Sequence, residues 1–204
     1  MPYEEFFARG IHVVTTGAVF AMPVAEIGLG FALDLLRGIT TADTEFRNGT
    51  EAWGGDGNAH ARLLTGADVG ISGFGDLGRA MTRLLAGFRC NIRAHDPWLP
   101  PSILRDHQVS PASLTEVLEQ SDVVFVMAAV TSDNRGFIGA AEFARMRQRA
   151  AFILLSRADV VEFDALLDAV ESGQIIAATD VFPEEPLPAD HRTRQGDGLL
   201  RSAH

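Results

Sequence analysis

The stretch Asp68-Val-Gly-Ile-Ser-Gly-Phe-Gly-Asp-Leu-Gly78 decides the fold of this 204-residue chain. It predicts a short apolar strand, a tight glycine turn and the start of a helix. In G-x-G-x-x-G spacing the first glycine permits the turn, the second lets the backbone approach a pyrophosphate, and the third lets the helix pack on the strand. The N–H groups and positive dipole end of that helix then face the phosphates. The predicted phosphate-binding residues are Gly73, Gly75, Asp76, Leu77 and Gly78.

An acidic residue follows at the distance that a dinucleotide site requires. A second strand is predicted over Asn91–His95 and is followed by Asp96, 18 residues after Gly78. A carboxylate at this position accepts hydrogen bonds from the adenosine ribose and repels a 2′-phosphate, which favours NAD over NADP. The alternative interpretation of Asp96 is a turn residue before Pro97, and a glycine-rich turn alone is weak evidence for a dinucleotide site.

The composition limits the class of protein. The length and the 47% hydrophobic content suit one large domain, or one domain plus a fragment. A net charge of −10 without a basic stripe argues against a nucleic-acid partner. The single cysteine, Cys90, excludes an internal disulfide and favours a reducing, cytoplasmic location. Residues 11–36 are apolar, but Pro23, Glu26 and Asp34 interrupt them, so we expect a buried or subunit-contact helix and no membrane span. No metal site is predicted.

Strands and helices alternate along the chain, which predicts a doubly wound parallel α/β sheet. Residues 122–127 and 151–155 are apolar runs, as in parallel strands that are covered on both faces. Another strand is predicted at Ile175–Thr179. Helices are expected at 113–118, with a capping box at its start, and at 140–147 and 161–172. Ligands of such sheets bind beyond the carboxyl ends of the strands. The residues at these ends are Asp96, Ala128, Arg157 and Asp180.

The pattern ahead of the glycine turn is less regular. Residues 1–10 predict the end of a helix, and residues 11–14 predict a short strand. A long helix is predicted at about 23–37, because Pro23 suits a first helical turn. Its apolar residues lie on nearly all sides of the helix, which is typical of a helix buried in a core or an interface. Residues 45–66 are predicted to be loosely structured.

Further motifs connect these elements to a known family. They are Arg9-Gly-Ile-His-Val-Val with Val24-Ala-Glu26, the glycine turn through Arg79, His95-Asp-Pro97, Ser121-Asp-Val-Val124, Ser156-Arg157, Asp180-Val-Phe-Pro-Glu-Glu-Pro-Leu-Pro188, and residues 199–204. In this order they cover nearly the whole chain, which resembles the D-isomer-specific 2-hydroxy acid dehydrogenases. That family includes 3-phosphoglycerate, D-lactate and glyoxylate/hydroxypyruvate enzymes. The resemblance implies a Rossmann domain and an NAD-dependent oxidoreductase that transfers hydride between NAD(H) and a 2-oxo or 2-hydroxy acid.

The resemblance also implies roles at matched positions. Arg157 would bind the substrate carboxylate and carbonyl, and His204 would be the acid/base that protonates the carbonyl oxygen. Glu185 would hold the other imidazole nitrogen, and Asp180 would bond the nicotinamide carboxamide. Histidine titrates near neutrality, which suits this proton transfer, and a neighbouring carboxylate favours the protonated imidazole. The remaining implied cofactor contacts are Ala128, Thr131 and Ser156. Taken singly, Arg157, Asp180, Glu185 and His204 also fit ordinary loop or surface roles.

The chain departs from the family mainly in its extent. Family members have roughly 300 residues or more, so two domains are expected of them. We therefore expect residues 1–20 to be a remnant of the substrate domain. Residues 21–204 are expected to form the NAD-binding domain, with the long helix linking domains and contacting a second subunit in a homodimer. Two alternatives remain open: a catalytically silent NAD-binding module, and a globular α/β domain without cofactor.

Overall fold

The computed structural model describes residues 3–14, 16–196 and 198–203 of the chain. The helices are α1 (Tyr3–Ala8), α2 (Gly17–Arg37), α3 (Ile39–Asn48), α4 (Asp76–Leu85), α5 (Pro101–Asp106), α6 (Leu114–Glu119), α7 (Ala140–Arg145) and α8 (Phe163–Glu171). The strands are β1 (Asp68–Ser72), β2 (Asn91–His95), β3 (Ser110–Pro111), β4 (Val123–Val126), β5 (Ala150–Leu154), β6 (Ile175–Thr179) and β7 (Leu199–Arg201). Short 3₁₀ turns lie at 56–58, 86–88, 158–160 and 192–194.

The strands of the described chain form one sheet in the order β3-β2-β1-β4-β5-β6-β7. Every neighbouring pair is parallel, which confirms the doubly wound sheet and its Rossmann order. The chain runs outward from β1 to β3 and then returns to the other side of β1 with β4. A crevice therefore opens between the loops that follow β1 and β4. Because all strands point the same way, their carboxyl ends meet at one edge.

Helices cover both faces of the sheet, and the central strands contribute alternate residues to two cores. Val123 and Phe125 of β4 pack in the core that contains α2 and α4. Val124 and Val126 pack in the opposite core, which contains residues of α6, α7 and α8. All four side chains are fully buried. This two-sided burial explains why β4 appears in the sequence as a continuous apolar run.

The long helix α2 starts earlier than predicted. It begins at Gly17, so Pro23 lies inside the helix and not in its first turn. Ala21 and Ala25 are buried on either side of Pro23, and α2 packs along α4. This burial outweighs the loss of one backbone hydrogen bond at the proline. Among the described residues, α2 is also the one helix long and apolar enough to cross a membrane.

Three other local predictions need correction. Residues 11–14 do not form a strand: Ile11 and Val14 are exposed, and a strand needs a neighbouring strand for its hydrogen bonds. Part of the stretch predicted to be loose is the C-terminal part of α3. The two-residue strand β3, which pairs with β2, was missed because so short an element carries no periodicity. The capping box is confirmed, since Ser113 Oγ accepts from Glu116 N–H and the Glu116 carboxylate accepts from Ser113 N–H.

Candidate cofactor and active site

The glycine turn between β1 and α4 has the backbone geometry that phosphate binding requires. Gly73 has φ +91°, and a Cβ there would lie 2.5 Å from the backbone of Ala128. A Cβ on Gly78 would lie 2.7 Å from the Gly73 carbonyl oxygen, so helix and turn are in close contact. At Gly75, by contrast, a Cβ would meet nothing within 4 Å. The backbone is thus exposed at the glycine that approaches a pyrophosphate, and the residues present fit a dinucleotide.

The first turn of α4 follows the glycine turn directly in the chain. Asp76 and Leu77 are its first two residues, and Asp76 is exposed. The Asp76 Oδ1 lies 3.9 Å from Arg79 Nη1, one turn further along the helix. The helix therefore presents its N-terminal backbone N–H groups beside the glycine turn. The Arg79 guanidinium lies near the Asp76 carboxylate at this end of the helix.

Asp96 is held against the glycine turn. Its Oδ2 accepts the Phe74 N–H at 2.8 Å, and its Oδ1 accepts the Trp98 N–H at 3.0 Å. A carboxylate has about four acceptor sites, so capacity remains for ribose hydroxyls. The contact with Phe74 was not predicted. It shows that the same carboxylate also stabilises the turn that would hold the phosphates.

A cleft of about 280 Å³ lies beside Asp96 and contains a second carboxylate, that of Glu116. The backbone N–H and the hydroxyl of Ser113 donate to Glu116, which lowers the pKa of that carboxyl below its ordinary value. Two anions on one cleft disfavour a 2′-phosphate, because like charges repel. This electrostatic arrangement agrees with the preference for NAD that Asp96 predicts.

The loop after β4 closes the other side of the crevice. Ala128 contacts Gly73, as described above, and Thr131 donates its N–H to Asn134 Oδ1 at 2.7 Å. The Asn134 side-chain amide also donates to the Ala129 carbonyl at 2.7 Å. Asn134 therefore shapes this loop, a role that the sequence analysis missed. The available signal was an asparagine three residues after a threonine in a loop, where asparagine commonly bonds nearby backbone.

Arg157 and Glu185 line one cleft of about 150 Å³ although they lie 28 positions apart in the sequence. The Arg157 Nη1 donates to the Ser156 carbonyl at 2.9 Å, and the side chain is exposed. The Glu185 Oε1 accepts the Phe182 N–H at 3.0 Å. The remaining lining residues of the cleft are Ala158, Asp159, Val181, Phe182 and Pro183. A cation that can bind a carboxylate and an anion that can orient an imidazole thus share one cleft.

Two predicted cofactor residues at the ends of neighbouring strands have buried polar atoms. Asp180 follows β6 and is 3% exposed. Ser156 lies just beyond β5, and its Oγ is buried without a hydrogen-bond partner among the described residues. Buried hydroxyls are normally hydrogen-bonded, so Ser156 has donor and acceptor capacity that a ligand can use.

His204 lies outside the described residues, so its predicted place remains a prediction. The structure describes the strand that leads to it. Arg201, the last residue of β7, is in register with Thr179 of β6, and the Ser202 N–H donates to the Thr179 carbonyl at 3.1 Å. The chain therefore leaves the sheet beside Asp180.

The predicted site residues that are described lie at one edge of the sheet. The glycine turn follows β1, Asp96 follows β2, Ala128 lies beyond β4, Ser156 and Arg157 lie beyond β5, and Asp180 follows β6. Glu185 lies further along the chain and joins Arg157 at their cleft. This edge defines the class of protein: a Rossmann domain with a dinucleotide crevice and a charged cleft at the same edge of the sheet.

Comparison with known proteins identifies the family. The chain belongs to the D-isomer specific 2-hydroxyacid dehydrogenases, whose NAD binding domain matches residues 29–204. The glyoxylate reductase of Thermofilum pendens is 30% identical over 98% of this chain and 60% of its own length. The human glyoxylate reductase/hydroxypyruvate reductase is 34% identical over 92% of this chain and 58% of its own length. The family resemblance and the expectation of NAD as the cofactor are thereby confirmed.

Solved structures agree with this family. A phosphoglycerate oxidoreductase from Rhizobium etli superimposes with a TM-score of 0.91 at 63% identity, covering all of this chain and 65% of that protein. An NAD-dependent formate dehydrogenase from Staphylococcus aureus, solved in complex with NAD, superimposes with a TM-score of 0.84 at 26% identity. The chain therefore spans about three fifths of the length of the curated relatives named above.

Proposed function

We propose that this polypeptide is the NAD-binding part of an oxidoreductase that transfers hydride between NAD(H) and a 2-oxo or 2-hydroxy acid. The observation that carries the proposal is the cleft shared by Arg157 and Glu185, at the same sheet edge as the glycine turn. An exposed guanidinium binds a carboxylate with two parallel hydrogen bonds, which suits an acid substrate. The names of the relatives, glyoxylate and hydroxypyruvate reductases, support a small 2-oxo acid.

One group of residues binds the cofactor. The glycine turn, the first turn of α4, Asp96 and the loop at Ala128 and Thr131 hold the dinucleotide, while Ser156 and Asp180 hydrogen-bond its nicotinamide end. Bound NAD(H) supplies or accepts the hydride.

The charged cleft acts on the substrate. Arg157 orients the carboxylate and polarises the carbonyl. His204 donates a proton to the carbonyl oxygen during reduction, and Glu185 holds the imidazole and stabilises its cationic form. In the oxidative direction the same imidazole accepts the hydroxyl proton.

The direct test is NADH oxidation in the presence of glyoxylate, hydroxypyruvate or pyruvate. The 204-residue chain is compared with a chimera that adds the flanking segments of the Rhizobium etli protein, which is longer at 63% identity. We expect turnover by the chimera on at least one of these acids. A chimera that folds and binds NADH but reduces none of them contradicts the proposal.

A catalytically silent NAD-binding module is the second candidate for the 204 residues taken alone. This candidate is favoured because the chain matches only about three fifths of the length of these relatives. NADH binding by fluorescence titration without turnover, together with activity of the chimera, would assign that role to the isolated chain. Turnover by the isolated chain would exclude it.

We further propose that residues 1–20 are a remnant of a substrate domain and residues 21–204 the NAD-binding domain. Exposed apolar side chains on and near α2 and α3 support a homodimer contact, because large exposed apolar patches mark interfaces. They are Val19, Phe20, Ile39, Phe46 and Trp53. A cytoplasmic location, without a membrane or nucleic-acid partner, fits the single cysteine and the acidic charge. Light scattering on the chimera tests the dimer, and a monomeric mass would contradict it.

A further inference from the structure

Arg201, the last residue of β7, binds the loop that precedes its own strand. Its Nε donates to the Thr193 carbonyl, and its Nη2 donates to the carbonyls of Gln195 at 2.8 Å and Gly196 at 3.0 Å. One guanidinium therefore ties the strand to three backbone acceptors. Charged donors form stronger hydrogen bonds to carbonyls than neutral donors do, so this is a substantial tether.

The strand that carries Arg201 is also held by its backbone pairing with β6 and by the packing of Leu199 and Leu200 against opposite cores. β7 has three residues and lies at the edge of the sheet, where β6 is its partner. A slip of one residue would move the chain by about 3.3 Å and reverse the face of every side chain. Leu199 is buried, which opposes such a slip. Arg201 adds a further restraint, at the end from which the chain leaves the sheet.

We propose that Arg201 is a positioning residue for the acid/base His204, an inference that rests on the proposed function. His204 is three positions after Arg201, and Arg201 is in register with Thr179, the residue before Asp180. Holding this register determines where the chain leaves β7 relative to Asp180. Misplacing a catalytic group by about 1 Å can cost on the order of 100-fold in rate, so a loosened register lowers the rate of proton transfer.

Arg194 provides a matched control within the same loop. Its guanidinium donates to the carbonyls of Leu187 at 2.6 Å and Pro188 at 2.8 Å. It is therefore also an arginine bound to backbone carbonyls, but it is not part of β7. Replacing it removes hydrogen bonds from the loop without removing the link between the loop and the strand.

The experiment compares Arg201→Met, Arg201→Lys and Arg194→Met in the chimera described above. We expect Arg201→Met to lower kcat by about 100-fold, with KM for the 2-oxo acid and the Kd for NADH nearly unchanged. Arg201→Lys should restore part of the rate, because an ammonium retains donors. Arg194→Met should stay within about 3-fold of the unmodified chimera. An unchanged kcat in Arg201→Met would overturn the positioning role while leaving the proposed function intact.

A double-mutant cycle with His204→Asn separates positioning from general destabilisation. If Arg201 acts through His204, Arg201→Met causes no further loss in the His204→Asn background. Additive losses would overturn the proposal. The ring resonances of His204 in NMR spectra give a readout independent of turnover, and they should move in Arg201→Met but not in Arg194→Met. If the chimera reduces no 2-oxo acid, the proposed function fails, and these resonances decide the role of Arg201 alone.

Discussion

The two halves of the sheet edge are built in different ways. On the side of β1 and β2, the site consists mainly of backbone, with a glycine at φ +91° and an uncovered glycine. One side-chain carboxylate is bonded to this turn at 2.8 Å. On the side of β5 to β7, the site consists of charged side chains, such as Arg157 and Glu185, which belong to separate loops. The first half depends on local conformation, whereas the second depends on the register of distant segments.

The largest effect should come from Gly73→Ala, which breaks the first half. The new Cβ would lie 2.5 Å from the Ala128 backbone at a positive φ, so both the fold and the phosphate site are disturbed. We expect a loss of roughly 3 kcal/mol or more in the free energy of unfolding, and no measurable NADH binding. Thermal denaturation and fluorescence titration of the 204-residue chain measure these two quantities.

Gly75→Ala is the control for that change. A Cβ at Gly75 meets nothing within 4 Å, so the melting temperature should hardly change. NADH binding should nevertheless weaken, because the methyl group occupies space that the pyrophosphate needs. If Gly75→Ala bound NADH as well as the unmodified chain does, the dinucleotide would not lie against this turn.

The second-largest effect is expected in the other half of the sheet edge, on the side of β5 to β7. In the chimera, Arg157→Met should lower kcat/KM for the 2-oxo acid by about 100-fold or more, which corresponds to about 3 kcal/mol. The Kd for NADH should remain within about 2-fold, because Arg157 is exposed in its own cleft and is not one of the proposed cofactor contacts. A parallel loss of NADH affinity would show that the two halves are coupled.

A smaller effect is expected at Asp96. Asp96→Asn retains an acceptor for the Phe74 N–H but removes the charge beside the ribose position. NADH binding should weaken by about 10-fold, roughly the value of one charged hydrogen bond, while NADPH binding should improve. Titration with both cofactors measures the ratio. An unchanged ratio of NADH to NADPH affinity would remove Asp96 from the specificity site.

The smallest effect is expected at Ser113, which borders the cleft that contains Asp96 and Glu116. Ser113→Ala should reduce the free energy of unfolding by about 1 kcal/mol at neutral pH through loss of the cap. Only one part of this contribution depends on pH, namely the bond that the Ser113 hydroxyl donates to the Glu116 carboxylate, which helps to lower the folded-state pKa of Glu116. That part is fully present above the unfolded-state pKa and is lost as the pH falls through the lowered value. Denaturant unfolding of both forms between about pH 3 and pH 7 measures it. A difference that does not change with pH would contradict the role of the Glu116 charge.

Much of the first half could be predicted from sequence because it depends on neighbouring residues. Gly73, Gly78 and Asp96 lie within one β-α-β unit, and their spacing alone predicts a turn, a helix and a carboxylate at the next strand end. The resemblance predicted Arg157 and Glu185 as members of one catalytic set with His204, but it gave no geometry for them. Their common cleft follows from the sheet order, which brings together segments that are distant in the chain.

The errors lie where tertiary contacts override local preference. Pro23 suits a helix start, yet α2 begins at Gly17 because burial of Ala21 and Ala25 stabilises the earlier turns. Residues 11–14 have the composition of a strand, but no strand lies beside them in the part of the chain that the structure describes. Asn134 and Arg201 gave no strong signal, because their importance lies in the particular carbonyl oxygens that they contact.

The sequence by itself determined the family, the Rossmann fold, the glycine turn and the choice of NAD, because each depends on residue types at short and regular spacing. The tertiary structure decided the start of α2, the cleft shared by Arg157 and Glu185, and the attachment of β7 by Arg201. These features depend on which side chains meet across the fold. The local spacing of residues does not encode these contacts, because packing and sheet register determine them.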